Sequence, residues 1–257
     1  MEIGRSFSFP FQDKSWLSKL LIAAVISLVP ILNFALVGWM VEIAKRVMGH
    51  EAEELPGWDD FGKKWMGGLY YVVAGFIYSL PVILVSCIMG TVYGGVIAAT
   101  QAAAQNSNSA QNAANAIMAG GGLVGFCLVC LMLLYGLVLS VLMPGLLVNY
   151  AHEGNFGSLF KVGAVFGKVR ENAGSFFMAW VVALVFGIVV GIVLVFINVL
   201  IGWIPCIGWI AVLLISMIAA PYTSAVYSHL FGQYGDKAYG APAPTSAGVS
   251  GSLPPAS

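Results

Sequence analysis

The side chains best able to do chemistry sit in a few short stretches. LPGWDDFGKKW, residues 55–65, sets Asp59, Asp60, Lys63 and Lys64 between two tryptophans. Adjacent carboxylates serve as an acid–base dyad only when shared burial drives their pKa values apart. On a helix, however, Asp59 would face Lys63 and Asp60 would face Lys64, both at i, i+4 in the favourable acid-first order. Pro56 suits a first helical turn, and the two acids suit its positive end. The stretch therefore reads as a solvated helix start. Cys127-x-x-Cys130 has the spacing of half a metal or redox site, but no second pair and no histidine accompany it. A buried cysteine ordinarily behaves as a small hydrophobe. His152 and His229 could share a site, yet each also falls at a helix end where a cation suits the dipole. There is no H-E-x-x-H, no G-x-S-x-G and no phosphate loop. The residues predict no enzyme, no catalytic group, no cofactor and no metal.

The elements that must carry these residues are set by composition. Sixty per cent of the 257 residues are hydrophobic and 9% are charged, with a mean hydropathy of +0.91. A soluble domain is nearer half apolar and a quarter charged. Several runs exceed the roughly 20 apolar residues that cross a bilayer core of about 30 Å. The fold class predicted is all-α, a polytopic transmembrane helical bundle, with the lipid bilayer as its first partner. A net charge of zero excludes nucleic acid, since no basic face neutralises phosphates. No cleaved signal peptide is expected, because the first apolar stretch lacks a small-residue cleavage site.

Periodicity and length place helices at about 16–29, 32–48, 69–100, 123–150, 175–200 and 207–231. The connections at 49–65 and 151–172 are charged, whereas 101–118 and 201–206 carry no charge. Lys and Arg favour cytoplasmic loops, so the charged connections and both termini are expected inside. The first apolar stretch has Arg5, Lys14 and Lys19 before it and Lys45 and Arg46 after it. A single span would put one of these groups outside. Breaking the helix at LVPILNF, with Pro30 and Asn33 at the tip, gives a shallow hairpin instead. IPCIGW repeats that order, with Pro205 and Gly208 at its tip. Three helical hairpins result.

Residues 56–65 and 156–171 read as amphipathic elbows on the cytoplasmic surface. Trp58, Phe61 and Trp65 anchor the first, their rings apolar and the two indole N–H groups wet. Phe156, Phe160 and Phe166 anchor the second. The alternation of Phe7, Phe9 and Phe11 suggests an extended segment in the same interface. Gly90/Gly94, Gly121/Gly125 and Gly187/Gly191 have the small-residue spacing of close helix packing. Residues 1–233 form one transmembrane domain, and 234–257, rich in Gly, Ala, Pro and Ser, read as a disordered tail.

The order of Asp13 and Trp16, the Pro30 break, Gly38 and Trp39, Leu55-Pro56-x-Trp58-Asp59, and Gly232-Gln233-x-Gly235 resembles the prokaryotic membrane proteins grouped as domain of unknown function 4013. Trp39 stands where that family would suggest Tyr. The resemblance implies a multi-helix domain in a prokaryotic plasma membrane and supplies no activity.

An ionisable residue inside a span is by default a functional candidate, and none lies between Leu69 and Tyr150 or between Ser175 and Ser228. The expected function is therefore a non-enzymatic scaffold or accessory subunit, acting through helix packing and its cytoplasmic segments with a membrane-protein partner or a second copy. The alternative is a small transporter or channel for a neutral or small solute, with Asn33, Ser79, Ser86, Asn198 and Thr223 along its path; interrupted helices are common in transporters.

Overall fold

The computed structural model describes residues 1–51, 54–104, 108–204 and 206–242, with some side chains between 92 and 124 left out. The regular structure of the described residues is helical throughout. In chain order the α-helices are α1 (Ile3–Gln12), α2 (Trp16–Leu28), α3 (Asn33–Met48), α4 (Phe61–Ala104), α5 (Asn108–Glu153), α6 (Val162–Glu171), α7 (Ala173–Ile201) and α8 (Ile207–Tyr239). A 3₁₀ turn, Phe156–Phe160, precedes α6. Four of these helices are long and apolar enough to cross a membrane, over Phe61–Thr91, Gly125–Glu153, Ala173–Ile201 and Ile207–Tyr239.

The chain divides into two compact units, one of residues 1–71 with the chain from Gly145 onward, the other Val72–Pro144. In the first unit α8 is central, packed by α1, α2, α3 and α7. Its core gathers Phe9, Leu20, Ala23, Leu36, Trp39, Ile43, Leu55 and Ala225. Burying each large apolar side chain stabilises the fold by about 1.5–3 kcal/mol. Against this, α7 leaves most of its side chains uncovered, among them Phe177, Ile188, Ile192 and Val199. The second unit pairs the inner parts of α4 and α5. Tyr135 donates a hydrogen bond to the Tyr78 carbonyl at 2.8 Å, and Gly75 lies against the Met143 sulfur.

Several expectations need correction. The chain does break at 29–32, between α2 and α3, as Pro30 dictates. Residues 3–12, by contrast, are helical rather than extended. Their alternating phenylalanines still separate by environment: Phe9 is buried and Phe11 exposed. No separate elbow helix covers 56–65, because α4 begins at Phe61 and runs on without interruption. Likewise α8 does not stop at 231 but continues to Tyr239, so residues 234–239 belong to the folded unit. Gly235 explains why: a side chain there would collide with Met48 and Val148. The remainder of the proposed tail, from 243, and Pro205 lie outside the described residues.

Candidate functional site

The charged end of the first unit is built around one carboxylate. Asp13 follows α1 and is buried. Its Oδ1 accepts hydrogen bonds from the Ser15 amide and hydroxyl, both at 2.7 Å. Its Oδ2 accepts from the Leu55 amide at 3.1 Å and pairs with Lys19 Nζ at 2.5 Å. Lys19 Nζ also donates to the Leu55 carbonyl at 2.6 Å. Burial alone would raise the Asp13 pKa, but the Lys19 ammonium and the two Ser15 donors hold it down at about 2. Four segments are thereby pinned together: α1, its turn, α2 and the loop before α4.

The tryptophans complete this junction. Trp39 is fully buried, donates to the Pro56 carbonyl at 2.9 Å and stacks on Trp58 at 5.8 Å between centroids. Trp58 donates to the Lys19 carbonyl at 3.1 Å, and Trp65 to the Ile31 carbonyl at 2.7 Å. The indole N–H groups of Trp58 and Trp65, expected to face water, thus cap backbone carbonyls of α2 and the following turn. The lysine pairing also differs from i, i+4. Lys63 reaches Asp60 at i, i+3, 3.3 Å away, while buried Lys64 crosses to Glu42 at 2.8 Å. Glu42 holds Arg46 at 2.8 Å as well, so one carboxylate serves two cations.

Glycines allow the crossings behind this arrangement. A Cβ on Gly38 would strike the Lys64 carbonyl, and one on Gly68 the Phe34 carbonyl. Helices α3 and α4 therefore touch backbone to backbone, in antiparallel register. Gly232 similarly admits Val47 and the Ala44 carbonyl. At Gly90, Gly94, Gly187 and Gly191 an added Cβ would meet nothing within 4 Å. Among the described residues, those four make no close crossing within the chain. The Gly121 side of that list falls where side-chain surroundings are not described, and Gly125 is buried. Gly208, in the first turn of α8, is pressed against the Ile201 carbonyl.

Below the α1–α8 contact lies a polar network. Gln233 grips the backbone of Glu2, its Oε1 accepting from the amide at 2.7 Å and its Nε2 donating to the carbonyl at 3.1 Å. That fixes the orientation of the amide, and Nε2 also lies 3.1 Å from His229 Nδ1 and 3.0 Å from Ser6 Oγ. Ser6 Oγ sits 2.9 Å from the same Nδ1. Ser6 Oγ, Gln233 Nε2 and His229 Nδ1 thus form one mutually bonded triangle, whose proton arrangement depends on the ring's tautomer. A serine beside a histidine suggests nucleophilic chemistry. Here Ser6 is fully buried and bonds across to α8. The pair is a structural clasp between α1 and α8.

Above the clasp opens a cleft of about 540 Å³, lined in part by Glu2, Arg5, His50, Glu51, Asp236 and Lys237. His50 follows the C-terminus of α3 with φ +52, a left-handed conformation that a helix end favours. Its Nε2 lies 3.1 Å from Asp236 Oδ1. The lining carries both signs in close balance and selects no ligand by charge. His152 stacks on Tyr239 at 5.3 Å, so the two histidines have separate partners and form no joint site. Cys127 and Cys130 are free thiols. Among the described residues no cluster of three His, Cys, Asp or Glu side chains is placed to hold a metal.

A family model described as Protein of unknown function (DUF4013) matches residues 21–199. The chain belongs to the DUF4013 family. No curated protein matches the chain, and no solved structure does. The DUF4013 match takes in the α2–α3 break, Gly38, Trp39 and the Leu55–Asp59 loop. Asp13 and the Gly232-Gln233-x-Gly235 run lie outside it, although the structure ties both to the matched part. Asp13 holds Leu55, and Gly232 admits α3.

The polar residues suggested for a solute path make mostly local contacts. Ser79 Oγ and Thr223 Oγ1 donate to carbonyls one turn back in their own helices, at 2.8 and 2.7 Å. Ser86 faces the Met132 sulfur at 3.9 Å. Asn33 and Asn198 are exposed, each at a helix end. Phe156, Phe160 and Phe166 are exposed beside Lys161 and Arg170, whereas Leu159 and Val165 of the same stretch turn inward.

Proposed function

We propose that the protein is a non-enzymatic scaffold or accessory subunit of a prokaryotic plasma membrane. Its helices pack laterally, and its charged end, carrying both termini, lies on the cytoplasmic side. The observation that carries this reading is the segregation of charge. All 11 acidic and all 11 basic residues fall within 1–64, 153–171 and 236–237, and every one of the tip segments is uncharged. Such asymmetry matches the usual bias of cytoplasmic loops. It supports three hairpins entering from one side, with the 3₁₀ turn and α6 lying in the interface through Phe156, Phe160 and Phe166. The runs 69–150 and 175–228 hold no acidic or basic side chain of the kind that marks proton relays and ion pathways, and the Ser79 and Thr223 hydroxyls suggested for a path are spent on their own helices.

A photo-crosslinking residue at exposed Asp59, with Ile192 on α7 as comparator, tests the reading alongside flux in proteoliposomes. One discrete protein adduct without flux supports a scaffold. Flux of a small neutral solute above empty vesicles replaces it with a channel or transporter. Neither adduct nor flux counts against both.

A further inference from the structure

The four long helices leave α2 and α3 to be explained. At 13 and 16 residues they measure about 20 and 24 Å at 1.5 Å per residue, short of the roughly 30 Å hydrocarbon core. Yet α2 shows an apolar stripe to the outside. Leu17, Leu21, Ile22, Val25 and Leu28 are exposed, and Ile31 at the tip is 65% exposed. The opposite side of α2, through Leu20, Ala23 and Ala24, is buried.

Register fixes how far the tip reaches. Val47 lies against Gly232 and Met48 against Gly235, so α3 and α8 run parallel. Asn33, fourteen residues before Val47, is then level with about Ile218. From there α8 continues for eleven residues, about 17 Å, to Ile207, still exposing Trp209, Ile210, Leu213 and Leu214. The second register agrees. Gly38 meets the Lys64 backbone, which places Asn33 about 8 Å beyond that level and about 14 Å beyond Glu42, where the Lys64 ammonium is paired. The tip thus stops within the half of the membrane nearest the charges.

Its backbone is prepared for that depth. The Ile31 carbonyl is capped by Trp65. The Val29 carbonyl accepts from Asn33, and the Leu32 carbonyl from Ala35. Non-helical backbone is tolerated at membrane depth only when protein satisfies its polar groups.

We infer that α2 and α3 form a wedge in one leaflet, with the Leu17–Ile31 stripe of α2 solvated by the acyl chains of the leaflet on the charged side. This rests on the membrane reading above and adds a depth to it. The test uses nitroxide labels at single cysteines replacing Leu17, Leu21, Val25, Leu28 and Ile31, in a background lacking the four native thiols, in phosphatidylcholine vesicles. Accessibility to oxygen is compared with that to a polar nickel chelate. Labels replacing Phe177, Ile188 and Val199 on α7 serve as the spanning control. On α7 the oxygen-to-nickel ratio should peak in the middle and fall at both ends. On α2 it should hold or rise toward Ile31, which stays several-fold oxygen-rich. A peak at Val25 with nickel access restored at Ile31 would mean a full span and overturn the wedge. So would nickel access all along α2. Loss of the α7 peak would instead overturn the membrane reading itself.

Discussion

Replacing Asp13 by Asn should destabilise the protein more than any other change of a single charge. The native carboxyl titrates at about 2 against an ordinary 3.8, which corresponds to about 2 kcal/mol of favourable interaction for the ionised form. Asparagine keeps the shape but leaves the Lys19 ammonium, 18% exposed, without its counter-ion. Removing one partner of a buried pair costs up to about 3–5 kcal/mol, so about 2–4 kcal/mol is expected here. For a chain this size that lowers the melting temperature by roughly 5–10 °C, read in mild detergent by intrinsic tryptophan fluorescence. Lys19→Met should do comparable damage, and the double variant should lose less than the sum of the two. The sign with pH follows from the depressed pKa. Asp13's contribution is complete above about pH 4 and is lost as pH falls toward 2, so the melting temperatures of wild type and Asp13→Asn should converge over that interval. A shift under about 1 °C, or strict additivity in the double variant, would refute the hub.

Gly38→Ala and Gly68→Ala should each cost about 1–3 kcal/mol or prevent folding, because backbone carbonyls cannot yield to the new methyl group; Gly90→Ala, with open space around it, should melt at or slightly above the wild-type temperature. Gln233→Leu should free α1, seen as faster proteolysis before Asp13 with α8 intact. Trp58→Ala should lower the melting temperature by several degrees through loss of the Trp39 stack and the Lys19 cap, whereas Asp59→Asn, at an exposed site, should leave it unchanged.

The legible parts of the fold were those with local causes. Pro30 ends α2 because it has no N–H to donate, and long apolar runs with charged ends mark the four long helices. What escaped depended on distant partners. The Asp13–Leu55 bond links residues 42 apart, and nothing near Asp13 announces it. The phenylalanines of FSFPF imitate a strand's period of two, but α8 offers them a surface that rewards a helix. Residues 234–239 look like the start of a tail because they open a stretch rich in Gly, Ala, Pro and Ser. Gly235, with Gly232 just before it, is what lets α3 approach α8. Gly38 and Gly68 were not picked out as packing glycines because spacing within one helix does not reveal whether another backbone lies opposite. Trp58 and Trp65 were recognised as important for a general reason, their affinity for interfaces, while their partners are carbonyls in α2 and its turn.

The central claim is that all charge lies on one side of a membrane and the uncharged 101–118 and 201–206 tips on the other. Thiol labelling with an impermeant reagent in intact cells tests it most directly. Native Cys206 is exposed at the tip between α7 and α8, and Ser8 is exposed on α1. With the other three cysteines removed, Cys206 should react in intact cells. A cysteine replacing Ser8, in a chain lacking Cys206, should react only after the membrane is permeabilised. Labelling of the Ser8 position in intact cells, with Cys206 protected until permeabilisation, would contradict the account.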